Sequence, residues 1–240
     1  MLFRSGDVFM IGAVGSVWLA IDVLDAKRLN QHGLAALAAA IVLAAVTSAG
    51  VSCASEALVS RRLRGSTTFV AVVASVGVAL ILQNIGIKWN GSARKSFPSL
   101  IPEAGLYTQP GTVVAHAAAT LAISLPALAL AMWAVQRTAT GRALRAVSDD
   151  PDAAAMMGIN VSRTIMVGFA AAGACAGVAG ALYAQEFHAV SYGIGMKVGL
   201  VAYASAVIGG VGRTLGTVVG GLTIGVVESL NAWLPAGFGP

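Results

Sequence analysis

The residues with the most chemistry to offer cluster between Gly141 and Ile159, where the chain reads GRALRAVSDDPDAAAMMGI. Arg142, Arg145, Asp149, Asp150 and Asp152 place five charges within eleven residues, in a chain of which only 10% is charged. At roughly 2.5–3.5 kcal/mol for each charge at a helix centre, burying these five in lipid would cost about 15 kcal/mol, so the segment must lie in water. The same residues spell a helix start. Asp150 can cap it, Pro151 suits its first position and Asp152 adds negative charge to its first turn. Ala153, Ala154 and Ala155 propagate the helix, and Gly158 can end it. The expectation is a short helix from Pro151 to Met157 with small side chains, shaped for a groove on another protein. An ordinary capped loop outside the membrane is the alternative reading of the same residues.

Other polar residues are scattered. Glu228 falls inside the apolar run GVVESLNAW, where a carboxylate is either a functional group within the membrane or a hydrated one near its surface. Gln83 and Asn84 stand near the end of another run and could meet a polar solute or the headgroup boundary. His32, His116 and His188 are in three separate segments without paired ligand spacing, so no metal site is expected. Cys53 and Cys175 lie far apart in apolar runs, and neither a disulfide nor a metal is expected of them. No Ser/His/Asp set, Walker A loop or acidic pair can be recognised, so the chain is not expected to hydrolyse ATP itself.

The elements that must position the charged island are membrane spans. Hydrophobic residues make up 57% of the chain and mean hydropathy is +0.82, which excludes a water-soluble domain. The fold class expected is all-α, a polytopic transmembrane helical bundle in one domain over residues 1–240, with 137–163 as its polar loop. About seven membrane segments can be read. The first, about Val8–Ile21, is short for a span and reads as re-entrant or interrupted. Gly33–Ser55, Thr68–Ile87, Thr112–Gln136 and Thr164–Gln185 follow. The last two share Lys197–Leu234, joined at the turn around Gly209, Gly210, Gly212 and Arg213. Long polar connectors are expected at Lys88–Pro110 and Glu186–Met196, and Pro126 falls inside a span.

Alternation of these spans puts Arg4, Arg61, Arg62, Arg64, Arg137, Arg142, Arg145, Arg163 and Arg213 on one side. Lys27, Arg28, Lys88, Arg94, Lys95 and Lys197 fall on the other. Nine basic residues against six make the first side cytoplasmic, the island included. The net charge of +5 is spread over separate loops and is no nucleic-acid footprint. Glycines 212, 216 and 220, and again 221 and 225, recur four apart, a stripe along which another backbone can approach closely. Intramolecular packing and a helix lining a translocation path are both compatible with that stripe. Gly210-Val-Gly212 lacks the strand and the distal acidic residue of a dinucleotide loop.

Taken together, these motifs resemble those of a known family. Gly141-Arg-Ala-Leu-Arg-Ala146, Asp149–Asp150, Ala153–Ala154 and Met157-Gly-Ile159 are similar to the coupling loop of ABC-transporter permeases for branched-chain amino acids. Ser5-Gly-Asp-Val-Phe-Met-Ile-Gly-Ala13 looks like an early segment of that family, where His-Gly-Glu often stands in place of Ser5-Gly6-Asp7. Glu56 followed by Arg61-Arg-Leu-Arg-Gly65 resembles its acidic-then-basic loop, with Arg62 where a proline is usual. Ala170–Tyr183, and Gly209–Gly212 through Gly220–Gly221 to Glu228, match its later spans.

The resemblance covers nearly the whole chain. It favours the subunit type with the GDVFMIGA-like stretch over its heterodimeric sister permease. It implies a permease subunit of an importer in the bacterial inner membrane, with the island cytoplasmic. The partners implied are a second permease, two cytoplasmic ATP-binding subunits that would hold the ATP, and a periplasmic substrate-binding protein. No cofactor and no nucleic acid are implied. Branched-chain amino acids are the leading substrate, and relatives take urea, amides or other amino acids. Family members have further spans before Ser5 and after Pro235, so the chain is expected to be truncated at both ends. An ATP-independent transporter or channel is the competing class, and it would rely on Glu228.

Overall fold

In a computed structural model the described residues are 2–18, 33–60, 62, 68–90, 95–96, 110–187, 189–190, 193–210, 212–233. They form nine α-helices. These are α1 Leu2–Trp18, α2 Gly33–Ser55, α3 Thr68–Asn90, α4 Pro110–Arg137, α5 Ala139–Asp149, α6 Pro151–Met156, α7 Val161–Phe187, α8 Ile194–Gly209 and α9 Thr214–Trp233. A π-helical turn, Glu56–Ser60, continues α2. Two short strands, β1 Lys95–Ser96 and β2 Ala189–Val190, pair antiparallel with Lys95 opposite Val190. They tie Lys95–Ser96, which follows α3, to Ala189–Val190, which follows α7.

The protein is a polytopic helical membrane protein. Three stretches, Ala38–Val59, Thr120–Arg137 and Val161–Phe187, are long and apolar enough to cross a membrane. Shorter apolar helices occupy Gly6–Val17, Val73–Lys88, Ile194–Gly209 and Leu215–Asn231. The exposed side chains of α3, α4, α8 and α9 are rich in Val, Leu and Ile, as expected of surfaces facing lipid or another apolar partner. The interior combines larger apolar side chains such as Met10, Ile11 and Leu82 with glycine and serine where helices approach closely.

At the centre stands α1. Every residue from Gly6 to Val17 is buried, enclosed by α2, α3, α7 and α8. Its 17 described residues span about 25 Å. The first segment is thus an inner element enclosed by its neighbours. Its packing depends on glycine. Gly12 lies against the Cα of Gly177, and a Cβ on Gly180 would collide with the carbonyl of Phe9. The Phe9 and Tyr183 rings meet edge-on at 5.7 Å. This series runs α1 antiparallel to α7.

On the other face of α7, Gly173 and Gly177 abut the backbone of α2 at Ser48 and Ala44. Without a hydrophobic drive between helices in lipid, such backbone approach and interhelical hydrogen bonds hold spans together. Two of these bonds run from Ser48 Oγ to the Val8 carbonyl (3.1 Å) and from Ser52 Oγ to the Phe169 carbonyl (2.8 Å). Ser52 meeting Phe169 while Ala44 meets Gly177 makes α2 antiparallel to α7 as well. α1 and α2 therefore run in the same sense although they are consecutive.

One consequence corrects the charge count. Gly6 lies against Gly195 and Gly199 at the start of α8. Arg4, one half-turn earlier on α1, belongs to the end of the bundle opposite the island. Alternation placed it with the island because it treated the first segment as a simple crossing. Arg61, Arg64, Lys27, Arg28 and the three histidine side chains are outside the described residues.

Candidate functional site

The island is more ordered than a loop. Two helices, α5 and α6, meet at Asp150, which closes the first and caps the second. Its Oδ1 accepts from the backbone N–H of Asp152 (2.9 Å) and Ala153 (3.0 Å), and Pro151 takes the first position. Gly158 has φ +83° and its N–H bonds the Ala155 carbonyl, while the Ile159 N–H bonds that of Ala154. This is a Schellman stop, and it requires the left-handed conformation glycine tolerates. The expected short helix is present and ends at Met156.

The preceding α5, Ala139–Asp149, is the element that sequence reasoning missed. Thr138 caps it, its Oγ1 accepting from the Gly141 N–H at 3.1 Å. The same hydroxyl donates to the Ala134 carbonyl at the end of α4. A Cβ on Gly141 would collide with the Val135 carbonyl, so glycine lets α5 fold back on α4. The two island arginines complete that corner. Arg145 donates to the carbonyls of Val135 (3.1 Å) and Gln136 (3.2 Å), and Arg142 to that of Arg137 (3.1 Å). They satisfy the orphan carbonyls at the end of α4, where cations also complement the helix dipole. Read as charges in a loop, they concealed this role.

Together α5 and α6 form a two-sided bracket. Gly141, Val147 and Ala154 are buried on the inner side, and Leu144 packs on Gly168 of α7. On the outer side stand Arg142, Arg145, Asp149, Asp150, Pro151, Asp152 and Gly158, all exposed. Met156 and Met157 are 82% and 83% exposed, although both are large and apolar. Ala153 is half-buried. Ala154, expected on the docking face, instead anchors the bracket: with Asp150 as cap, the fourth residue of so short a helix turns toward the bundle.

The terminal glycines divide. Gly212 has φ +93° and belongs to the turn before α9, not to a helical stripe. A Cβ on Gly216 would collide with the Gly209 carbonyl, and one on Gly220 with that of Ser205. These two therefore seal α9 to α8. Gly221 reaches only the Ser205 side chain, at 3.9 Å, and Gly225 has nothing within 4 Å. Glu228 forms an ion pair with Lys197 at 3.5 Å, and both side chains are more than half exposed. Lys197 is in the first turn of α8, so Glu228 belongs near the bundle end opposite the island.

A second polar group lies deeper. Asp7 of α1 is 2% exposed and accepts a hydrogen bond from Gln83 Nε2 of α3 at 3.0 Å. Gln83 thus faces inward rather than the headgroups. Gln185 of α7 is 3% exposed, and neither amide atom has a hydrogen-bond partner among the described residues. The signal for Asp7 was available: a lone carboxylate heading an apolar run.

The structure is thus a bundle of apolar helices with glycine seams, a buried polar centre and a charged, anchored bracket at one end. The family described as "Branched-chain amino acid transport system / permease component" matches residues 3–236. The chain belongs to that family. It is 31% identical over 236 residues to the high-affinity branched-chain amino acid transport system permease protein BraD of Pseudomonas aeruginosa, covering 96% of this chain and 76% of that protein. It is 30% identical over 234 residues to the corresponding permease protein LivH of Escherichia coli, covering 96% and 75%. A more distant relative is the autoinducer 2 import system permease protein LsrC of Klebsiella pneumoniae, 29% identical over 175 residues, covering 68% and 50%. No solved structure matches.

Proposed function

We propose that this permease imports branched-chain amino acids across the bacterial inner membrane, driven by ATP-binding subunits that dock on the α5–α6 bracket. The observation that carries the docking assignment is the bracket's asymmetry. Its inner side is anchored to α4 and α7, while its outer side offers Met156 and Met157 to a partner. Exposed methionines adapt to an apolar groove, and the surrounding aspartates and arginines suit a polar rim.

In this reading the bracket faces the cytoplasm. The partners are a second permease subunit, two ATP-binding subunits and a periplasmic binding protein that delivers the solute. The chain is not an enzyme and holds no cofactor; ATP is bound and hydrolysed by the partners. Closure of those subunits pushes the bracket. Because α5 is fixed to the end of α4 by Arg145 and to α7 through Leu144, the push reaches both spans as a rigid movement. The lever works only if its contacts differ between the two access states.

Reconstituting the complete complex in proteoliposomes tests the reading. Radiolabelled L-leucine should accumulate only with both ATP and the loaded binding protein. Uptake of a urea or amide probe in place of leucine would overturn the substrate class, and uptake without ATP the driving force. An ion-coupled carrier that relies on Glu228 is not favoured, because that carboxylate is exposed and paired with Lys197.

A further inference from the structure

We propose that Asp7, Gln83 and Gln185 form a polar station for a zwitterionic amino acid on the solute path, at the level where α1, α3, α7 and α8 converge. The inference rests on the amino-acid import reading and adds the residues that meet the solute.

Three observations carry it. First, the bundle buries a carboxylate, Asp7, inside the enclosed inner helix, joined to Gln83 by a 3.0 Å bond. An ionisable group within spans is costly and marks a substrate or ion pathway by default. Second, Gln185 is buried with neither its amide oxygen nor its nitrogen satisfied among the described residues. Leaving such a buried amide unpaired is costly, and packing alone does not explain it.

Third, the register brings Gln185 within about one turn of Asp7. Gly177 meets Gly12 and Gly180 meets Phe9 as α7 runs antiparallel to α1, so Leu182 and Tyr183 stand level with Asp7 and Gly6, and Gln185 follows on the next turn toward the end of the bundle. Gln185 follows Gly177 and Ala181 at four-residue steps, on the face that meets α1, and all three are buried. Opposite, Gly195 stands beside Asp7, its Cβ position 3.1 Å from Oδ1. Gly195 and Gly199 present only backbone there, so small movements of α8 open room beside the carboxylate.

The chemistry matches a zwitterion. Asp7 can accept from an ammonium group, while Gln185 and Gln83 supply amide donors for a carboxylate and acceptors for the ammonium. In the sealed state the glutamine side chains stand in for solvent. When the spans tilt, the solute replaces the Gln83 bond and completes Gln185. The apolar lining around them, including Met10 and Ala184, suits a branched side chain.

The test uses the complete importer in proteoliposomes with L-leucine as probe. Asp7→Asn keeps the shape and removes the charge; uptake should fall at least tenfold while the subunits still copurify in wild-type amounts. Asp7→Glu should recover at least a third of wild-type uptake. Gln185→Leu should lower uptake at least fivefold with assembly intact. Independently, in a Cys53→Ser, Cys175→Ser background, Gln185→Cys should react at least fivefold faster with a membrane-impermeant thiol reagent during turnover than at rest, and added leucine-loaded binding protein should slow it.

Wild-type uptake in Asp7→Asn would overturn the station. So would loss of assembly in every variant, which would make these residues structural, or a thiol at 185 that stays unreactive in all states. If the unmodified importer does not take up leucine at all, the failure belongs to the import reading; labelling at position 185 during ATP turnover still reports whether the station opens.

Discussion

Gly216 and Gly225 show how far a residue's role depends on its neighbour. Both are in α9, nine positions apart, yet only Gly216 has a backbone, that of Gly209, where its Cβ would be. Gly216→Ala should therefore destabilise the protein by about 1–3 kcal/mol, the usual cost of overpacking. Gly225→Ala should be neutral or stabilising by up to about 1 kcal/mol, since alanine is the better helix former. Thermal unfolding in detergent compares the two; equal midpoints would remove the α8–α9 seam as a packing element. Arg145 acts through geometry as much as charge. Its fork donates to two carbonyls at the end of α4, and a lysine has no such fork. Arg145→Lys should raise hydrogen exchange in the last turn of α4 and the first turn of α5 nearly as much as Arg145→Ala. Full protection in the lysine variant would mean that charge alone suffices.

Among the elements, α6 was fully legible because each of its signals is local. Cap, proline, alanines and glycine occupy consecutive positions and specify their own backbone. Asp150→Ala should cost about 1 kcal/mol of local stability, and Gly158→Val a further 1–2 kcal/mol for the left-handed conformation at φ +83°. Both should loosen coupling, read as ATP hydrolysed per leucine transported. An unchanged ratio in the double variant would show that the helix is not needed in folded form.

Its neighbour α5 was illegible for a physical reason. Its charges looked like those of a solvated loop, and their partners, the carbonyls of α4, are backbone groups that no side-chain pattern announces. The spans α2, α4 and α7 could be read because length and hydropathy decide them. The position of α1 could not. A short apolar run reads the same whether it touches lipid or is enclosed by four helices, and only contacts such as Gly12 with Gly177 separate the cases. Gln83 was open between headgroup and interior for the same reason.

For the molecule as a whole, the bracket and the polar centre occupy different levels of one bundle, joined by α7. It begins beside the bracket, where Gly168 receives Leu144, passes the level of Asp7 at Leu182 and carries Gln185 one turn further on. A rigid span fixed at both points can transmit a push without any chain of intervening side chains. Glu228 is outside this line. Glu228→Gln should leave leucine uptake within twofold of wild type and fully ATP-dependent, measured in the reconstituted complex; a tenfold loss would return the carboxylate to the mechanism.

The outer side of the bracket is the proposed docking surface for ATP-binding subunits. Copurification of those subunits with a permease carrying Met156→Arg and Met157→Arg tests it most directly, because both side chains are more than 80% exposed and tolerate substitution without disturbing the bundle. The double variant should lose at least tenfold of its bound ATP-binding subunit, with the thermal midpoint of the permease unchanged. Full retention of that subunit, together with wild-type leucine uptake, would contradict it.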